Sequence, residues 1–276
     1  MSTIADLPYD TGAEIGGRWI QGLRRLPTED ELPDEDGEPM ESTWHRVVAS
    51  ILMDSAQHYF QHRNDWWCAA NMFLYFNLDM LKNKDFRGPD FFFVKGVAKR
   101  SRKSYVVWDE GGHYPNVIIE IASDSTRSND YGVKKDIYER VFQTPEYFIV
   151  EPDRETIRGW RLESGHYREI PAIGGRFRCE QLGLDFGWWE GDYHTADDRY
   201  PRFFHSDGRL APTFHEAERL KAETERQKAE AERQNAKAER QKAELSAKKA
   251  SEAEALNSEL LAELAALKAK LADKPS

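Results

Sequence analysis

A glutamate interrupts an otherwise apolar run, Val117-Ile118-Ile119-Glu120-Ile121-Ala122. Apolar residues fill both alternating positions, the pattern of a central strand covered on two faces. A carboxylate there loses its water, and burying an isolated charge is costly. The fold must therefore bring it a cation, a proton or a hydrogen-bond network. Asp90 poses the same problem at the head of Asp90-Phe91-Phe92-Phe93-Val94, directly after Pro89. One reading of the pair is a buried salt bridge or a capped turn. The sharper one is a divalent metal shared by two carboxylates on two strands.

A lysine follows at a useful distance. Beyond Glu120 comes a polar loop, Ser123 to Asn129, and Asn129 or Asp130 is expected to cap a helix reaching about Phe142. Its apolar stripe is Val133, Ile137, Tyr138 and Val141, with Lys134 at the stripe's edge and Lys135 and Glu139 turned to water. Lys134 there can hold a water nucleophile or steady charge developing on a phosphate. The plainer alternative is a lysine paired with Asp130 along the helix.

These stretches resemble the Uma-type restriction-endonuclease family, within the PD-(D/E)XK nuclease superfamily. The matching residues are Gly37-Glu38-Pro39-Met40-Glu41 with His45, Arg87-Gly88-Pro89-Asp90-Phe91-Phe92, Ile118-Ile119-Glu120 and Ser123-Asp124-Ser125-Thr126. Asp130, Lys134, Tyr138 and Pro145-Glu146-Tyr147-Phe148 continue the series, which spans roughly residues 18 to 210. The resemblance makes Asp90 the acid of the PD half-motif and Glu120 the (D/E) position. The superfamily pattern would place its lysine two residues later, where this chain has Ala122, and Lys134 matches the helix lysine that substitutes for it. Glu41 resembles an accessory acid near the start of the first helix. The implied activity is DNA endonuclease cleavage with Mg²⁺, or Mn²⁺, held by Asp90, Glu120 and the backbone carbonyl of Ile121. The alternatives are an inactive nuclease-fold scaffold and a nucleic-acid binder that does not cut.

The order of elements predicts an α/β (α+β) fold, a restriction-endonuclease-like mixed sheet flanked by helices. A helix over about 43–62, capped by Ser42 or Thr43, presents Val47, Val48, Ile51 and Leu52. Strands are expected at Arg18 to Ile20, Ala69 to Tyr75, Asp90 to Val94, Val117 to Ala122 and Tyr147 to Val150. A hairpin turns at Ser164-Gly165, and 171–211 reads as short strands and turns. Regular βαβ alternation and a Gly-rich phosphate loop are both missing, which argues against dinucleotide-binding and P-loop readings.

Two domains are expected, 1–211 and 212–276. The second carries a seven-residue repeat beginning at Ala217, Thr224, Ala231 and Ala238, and reads as a helix of about 55 residues, or about 80 Å. Its early seam of Ala and Gln is poor for a coiled coil. Leu256, Leu260, Leu264, Leu267 and Leu271 make a better one, pointing to a homo-oligomer, a dimer, through this end.

Net charge is −10, and eight acidic residues with no basic one lie in the segment 29–41. The acidity is therefore concentrated, and a basic surface around Lys95, Lys99, Arg100, Arg102 and Lys103 remains open to DNA. Cys68 and Cys179 form no disulfide framework or zinc quartet, which fits a reducing cytoplasm. The first ten residues lack a signal-peptide pattern, and no run is long enough for a membrane span. His58 and His62 have zinc-ligand spacing but no third partner, and His45 reads as a core hydrogen-bonder. Trp66-Trp67 and Trp188-Trp189 could stack on bases, with core packing the default.

Overall fold

The computed structural model describes residues 13–15, 18–20, 28, 30, 32, 42–77, 88–193 and 196–272. Strands β1 (Ala13–Ile15) and β2 (Arg18–Ile20) form a small antiparallel ladder. Helix α1 (Thr43–Tyr59) starts at Ser42, whose side chain accepts from the His45 N–H, an N-cap that satisfies one of the orphan donors of the first turn. Strands β3 (Trp66–Ala69), β4 (Leu74–Tyr75), β5 (Phe91–Lys95), β6 (Tyr105–Val106) and β7 (Val117–Ile121) follow.

A composite helix comes next: α2 (Arg127–Asn129), a π-helical segment (Asp130–Lys134) and α3 (Lys135–Arg140). Then come β8 (Glu146–Glu151), β9 (Thr156–Glu163), β10 (His166–Glu169), β11 (Arg176–Cys179), β12 (Leu184–Tyr193), β13 (Ala196–Phe204) and α4 (Phe214–Ala272).

The central sheet has six strands in the order β10-β9-β8-β7-β5-β3. Only β7 and β8 run parallel, joined through the composite helix, while the other pairs are antiparallel. The expected mixed α/β sheet with flanking helices is what the chain forms. Strands β11, β12 and β13 make a separate antiparallel sheet, and β4 with β6 a short parallel pair.

Alternation divides the core between the two faces of the central sheet. Phe91, Phe93, Val117, Ile119, Phe148 and Val150 pack on one face with α1 and the β11–β13 sheet. Phe92, Val94, Ile118, Ala122, Tyr147 and Ile149 pack on the other, with Tyr138 and Phe142. Phe91, Phe92, Phe93, Tyr147 and Phe148 are fully buried, each contributing on the order of 1.5–3 kcal/mol by leaving water.

Several sequence expectations shift. The strand expected at Ala69 to Tyr75 is two, β3 ending at Ala69 and β4 at Leu74–Tyr75, parted at Asn71, which takes a left-handed φ of 49°. The short strands expected over 171–211 include two of 10 and 9 residues, β12 and β13, hidden from alternation by Gly187, Gly191 and Pro201. Asn129 and Asp130 do not cap a helix; the helix begins at Arg127 after Thr126. Within it the π turn rotates the expected stripe, so Val133 and Val141 are exposed while Asp130 and Tyr138 are buried.

The long helix α4 spans 59 residues, and its described side chains beyond Glu223 are exposed. No described helix is long and apolar enough to cross a membrane.

Candidate active site

Asp90 and Glu120 meet because β5 and β7 are antiparallel neighbours. Phe91 pairs with Ile119, so the next residue outward on each strand is Asp90 on one side and Glu120 on the other. The Asp90 N–H lies 3.5 Å from Glu120 Oε2. The Asp90 carboxylate is held at both oxygens: Oδ2 accepts the Ile121 N–H at 2.6 Å, and Oδ1 lies 2.9 Å from His45 Nε2 on α1. His45 thus makes the hydrogen bond expected of it, and its partner is a site carboxylate.

Glu120 is fully buried, on the sheet face that the composite helix covers. Tyr138 donates its hydroxyl to Oε1 at 2.7 Å, and Lys134 Nζ is 3.0 Å from Oε2. The same ammonium is 2.7 Å from Oδ1 of Asp130, which is itself 1 % exposed. Lys134 therefore pairs with Asp130 along its helix and also reaches the strand carboxylate. The π turn places Asp130 and Lys134 on the sheet-facing side, and such turns recur at functional sites.

The electrostatics are unbalanced towards negative charge. Three carboxylates, Asp90, Glu120 and Asp130, share Lys134 and the imidazole of His45. Burial pushes the Glu120 carboxyl up to about 8; Lys134 pulls against that, the charges of Asp90 and Asp130 add to it, and the Tyr138 hydrogen bond opposes it. Burial works against the Lys134 ammonium too, but Glu120, Asp130 and Asp90 outweigh it and hold the lysine well above its usual range. Lys134 is a fixed positive charge at neutral pH. Asp130 Oδ2 is buried with no hydrogen-bond donor among the described residues.

These donors suit a hard divalent cation: they are oxygens only, three acidic side chains gather round one ammonium, and one oxygen is orphaned. Among the described residues no group of three or more His, Cys, Asp or Glu side chains is placed to hold a metal ion. The physical reason is visible in the contacts: Lys134, His45, Tyr138 and the Ile121 N–H occupy the oxygens that an ion would need. At Ile121 the N–H enters the cluster by donating to Asp90. Glu41 and most of the acidic segment 29–41 lie outside the described residues. Ala122 is 1 % exposed and packs with Ile118 and Tyr138, so the lysine of the site comes from the helix.

Two members carry no site role in the sequence reading: Asp130 reads as a cap or as a partner of Lys134, and Tyr138 as part of the apolar stripe. A polar residue four before Lys134 and another four after it was the available signal. His58 packs edge-on against Phe214. Of the expected basic cluster, Arg100 and Arg102 are tied to Glu110 and Lys103 to Asp30.

A cleft of about 460 Å³ opens beside the cluster, bordered by His45, Ile121, Ala122, Trp44, Trp188 and Arg199, among others. Two of these walls, His45 and Ile121, are the residues that hold the Asp90 carboxylate.

Comparison with known proteins follows the same lines. Residues 26–190, more than half of the chain, match the Uma2 family, described as "Putative restriction endonuclease". The chain belongs to that family. A crystal structure titled as a putative nuclease belonging to DUF820 from Anabaena variabilis is 15% identical, covering 57% of this chain and 91% of that one with a TM-score of 0.39. No curated protein matches.

Proposed function

We propose that this member of the Uma2 family is a metal-dependent endonuclease that hydrolyses phosphodiester bonds of DNA. The observation that carries the reading is the convergence of Asp90, Glu120 and Lys134 in a buried cluster with more negative charge than its cations neutralise. Asp90 and Glu120 would hold Mg²⁺, or Mn²⁺, with the Ile121 carbonyl as a further oxygen and Glu41 as an accessory acid. When bound, the ion supplies Lewis acidity at the phosphate and lowers the pKa of its water.

The chain's own residues do the rest. The Ile121 N–H and His45 fix the Asp90 carboxylate, and Tyr138 fixes Glu120. Such second partners orient ligands and tune them. Lys134, protonated at neutral pH, steadies negative charge developing on the phosphate and does not act as the base. A second copy is a further partner, joined through the helical tail, where Leu256, Leu260 and Leu264 are at least half exposed at four-residue spacing.

The test is cleavage of supercoiled plasmid and of single-stranded DNA with Mg²⁺, Mn²⁺ or EDTA, beside Asp90→Ala and Lys134→Ala. Metal-dependent nicking by the wild type alone supports the reading. Cleavage that survives EDTA, or that persists in folded Asp90→Ala, sinks it. Light scattering of the full chain against a chain ending at residue 211 tests the second copy, which requires the larger species only when the tail is present.

A further inference from the structure

The two Trp pairs part ways in the structure. Trp66 is 2 % exposed and stacks on Phe93, and Trp67 is covered by Arg102 and Tyr105, so neither offers a face to a ligand. Trp188 instead borders the cleft beside the acidic cluster, together with Trp44 from α1. Each of these two rings is braced by the protein. Trp44 stacks on Tyr200 at 6.3 Å and 13° and donates its indole N–H to the Arg199 carbonyl. Trp188 lies 6.4 Å from Trp44 and has the Arg199 guanidinium 5.5 Å from its ring centroid. The indole N–H of Trp188 has no acceptor among the described residues.

The polar groups of the cleft narrow what it can take. Asp153, Glu155 and Asp198 border it against Arg199, whose guanidinium is already paired with Glu155. A phosphate would meet like charge there, which disfavours binding. A neutral, flat, aromatic group bearing amino donors suits both the indole walls and the carboxylates. The volume, about 460 Å³, is in the range of small-molecule pockets, about 300–1,000 Å³.

We propose that the Trp44–Trp188 cleft binds one unpaired nucleobase of a DNA strand and so seats the neighbouring phosphate at the Asp90–Glu120 cluster. This rests on the nuclease reading for the identity of the ligand. A paired base is sealed within its stack, so the cleft selects single-stranded, mismatched or extruded nucleotides. His45 and Ile121, shared between the cleft and the Asp90 carboxylate, set the step from base to phosphate.

The experiment is equilibrium binding of an oligonucleotide carrying 2-aminopurine to the full chain in EDTA, as a single strand and as a perfect duplex. The single strand is expected to be quenched and the duplex not. Trp188→Ala should weaken single-strand binding about 5- to 150-fold, the range for loss of one base stack, while Trp188→Phe stays within about two-fold. Trp188→Leu keeps an apolar side chain in the contact with Trp44 and removes the π face, so it reads the same loss if the alanine variant fails to fold. Unchanged probe emission at saturating wild-type protein, or equal affinity in folded Trp188→Leu, overturns the proposal. A protein that cleaves plasmid but leaves the probe unquenched loses the base site alone. One that quenches through Trp188 and never cleaves keeps the base site and loses the nuclease reading.

Discussion

Glu120 and Glu146 sit on neighbouring parallel strands, β7 and β8, and both are 0 % exposed. Their surroundings are opposite. Glu146 is saturated by donors: the N–H groups of Glu180 and Gln181 at 2.8 and 2.9 Å, the Arg161 guanidinium at 3.0 Å and the Cys179 thiol at 3.1 Å. No other carboxylate is among these partners. Glu120 has the Tyr138 hydroxyl, a share of the Lys134 ammonium and the Asp90 N–H at 3.5 Å, with the carboxylates of Asp90 and Asp130 beside it. Backbone donors are fixed and neutral, so Glu146 pins the β11 end to the central sheet. Burial and the neighbouring carboxylates push the Glu120 carboxyl up to about 8. Equal burial thus hides unequal supplies of donors.

The contrast breaks most sharply in a cleavage assay. Glu120→Gln and Asp90→Asn should lower metal-dependent plasmid cleavage by roughly 10²–10³ or more, while Glu146→Gln keeps it. Comparable cleavage in Glu120→Gln would erase the distinction. Chemical denaturation should rank the same residues in reverse. Removing the acceptor in Glu146→Ala strands two N–H groups and should cost about 3 kcal/mol or more, against about 1 kcal/mol or less for Glu120→Gln, which keeps an oxygen for Tyr138. Lys134→Met belongs with Glu146 in this scan without metal, at about 3–5 kcal/mol, because it leaves Glu120 and Asp130 facing each other uncompensated.

Mg²⁺ sharpens the comparison further. A melting-temperature rise with Mg²⁺, worth about 2.7 kcal/mol at a hundred times the dissociation constant, is expected for the wild type and for Glu146→Gln. It should vanish in the Asp90→Asn, Glu120→Gln double variant, and persistence there would place the ion elsewhere.

The smallest effect concerns Glu151, a third carboxylate, at the end of β8. Burial raises its pKa, but bonds from Thr156, Tyr131 and Arg127 prevail and hold it below the usual range. Its stabilisation is therefore fully present above the unfolded-state value, near 4.5, and is lost as pH falls through the lowered folded value. Glu151→Gln should flatten that acid limb in a pH series of melting temperatures; an unchanged limb would show that the network carries no proton linkage.

Much of this site was legible because its residues break a pattern. Glu120 stands out in an apolar strand, and Asp90 heads another. The mixed sheet followed from the order of apolar runs. Asp130 and Tyr138 were hidden because they obeyed local rules: an aspartate before a helix reads as a cap, and a tyrosine in a stripe reads as core. The π turn that converts both into site residues has no sequence signature of its own at Tyr131-Gly132-Val133. Strand β12 escaped because Gly187 and Gly191 dilute its alternation. Each accommodates a close neighbour: a Cβ on Gly187 would sit 2.9 Å from the Arg176 side chain, and one on Gly191 2.4 Å from the Trp189 ring.

The contacts that hold the Asp90 carboxylate join stretches far apart along the chain. His45 and Asp90 are separated by 45 residues, and Asp90 and Ile121 by 31. Contacts of that span close late and slowly, since loop entropy is lost before they form. A nascent chain displaying α1 and β5 alone holds Asp90 without its Ile121 donor, and the three carboxylates come together only when the sheet is registered. The cluster is therefore complete only where α1, β5, β7 and the composite helix have all come together.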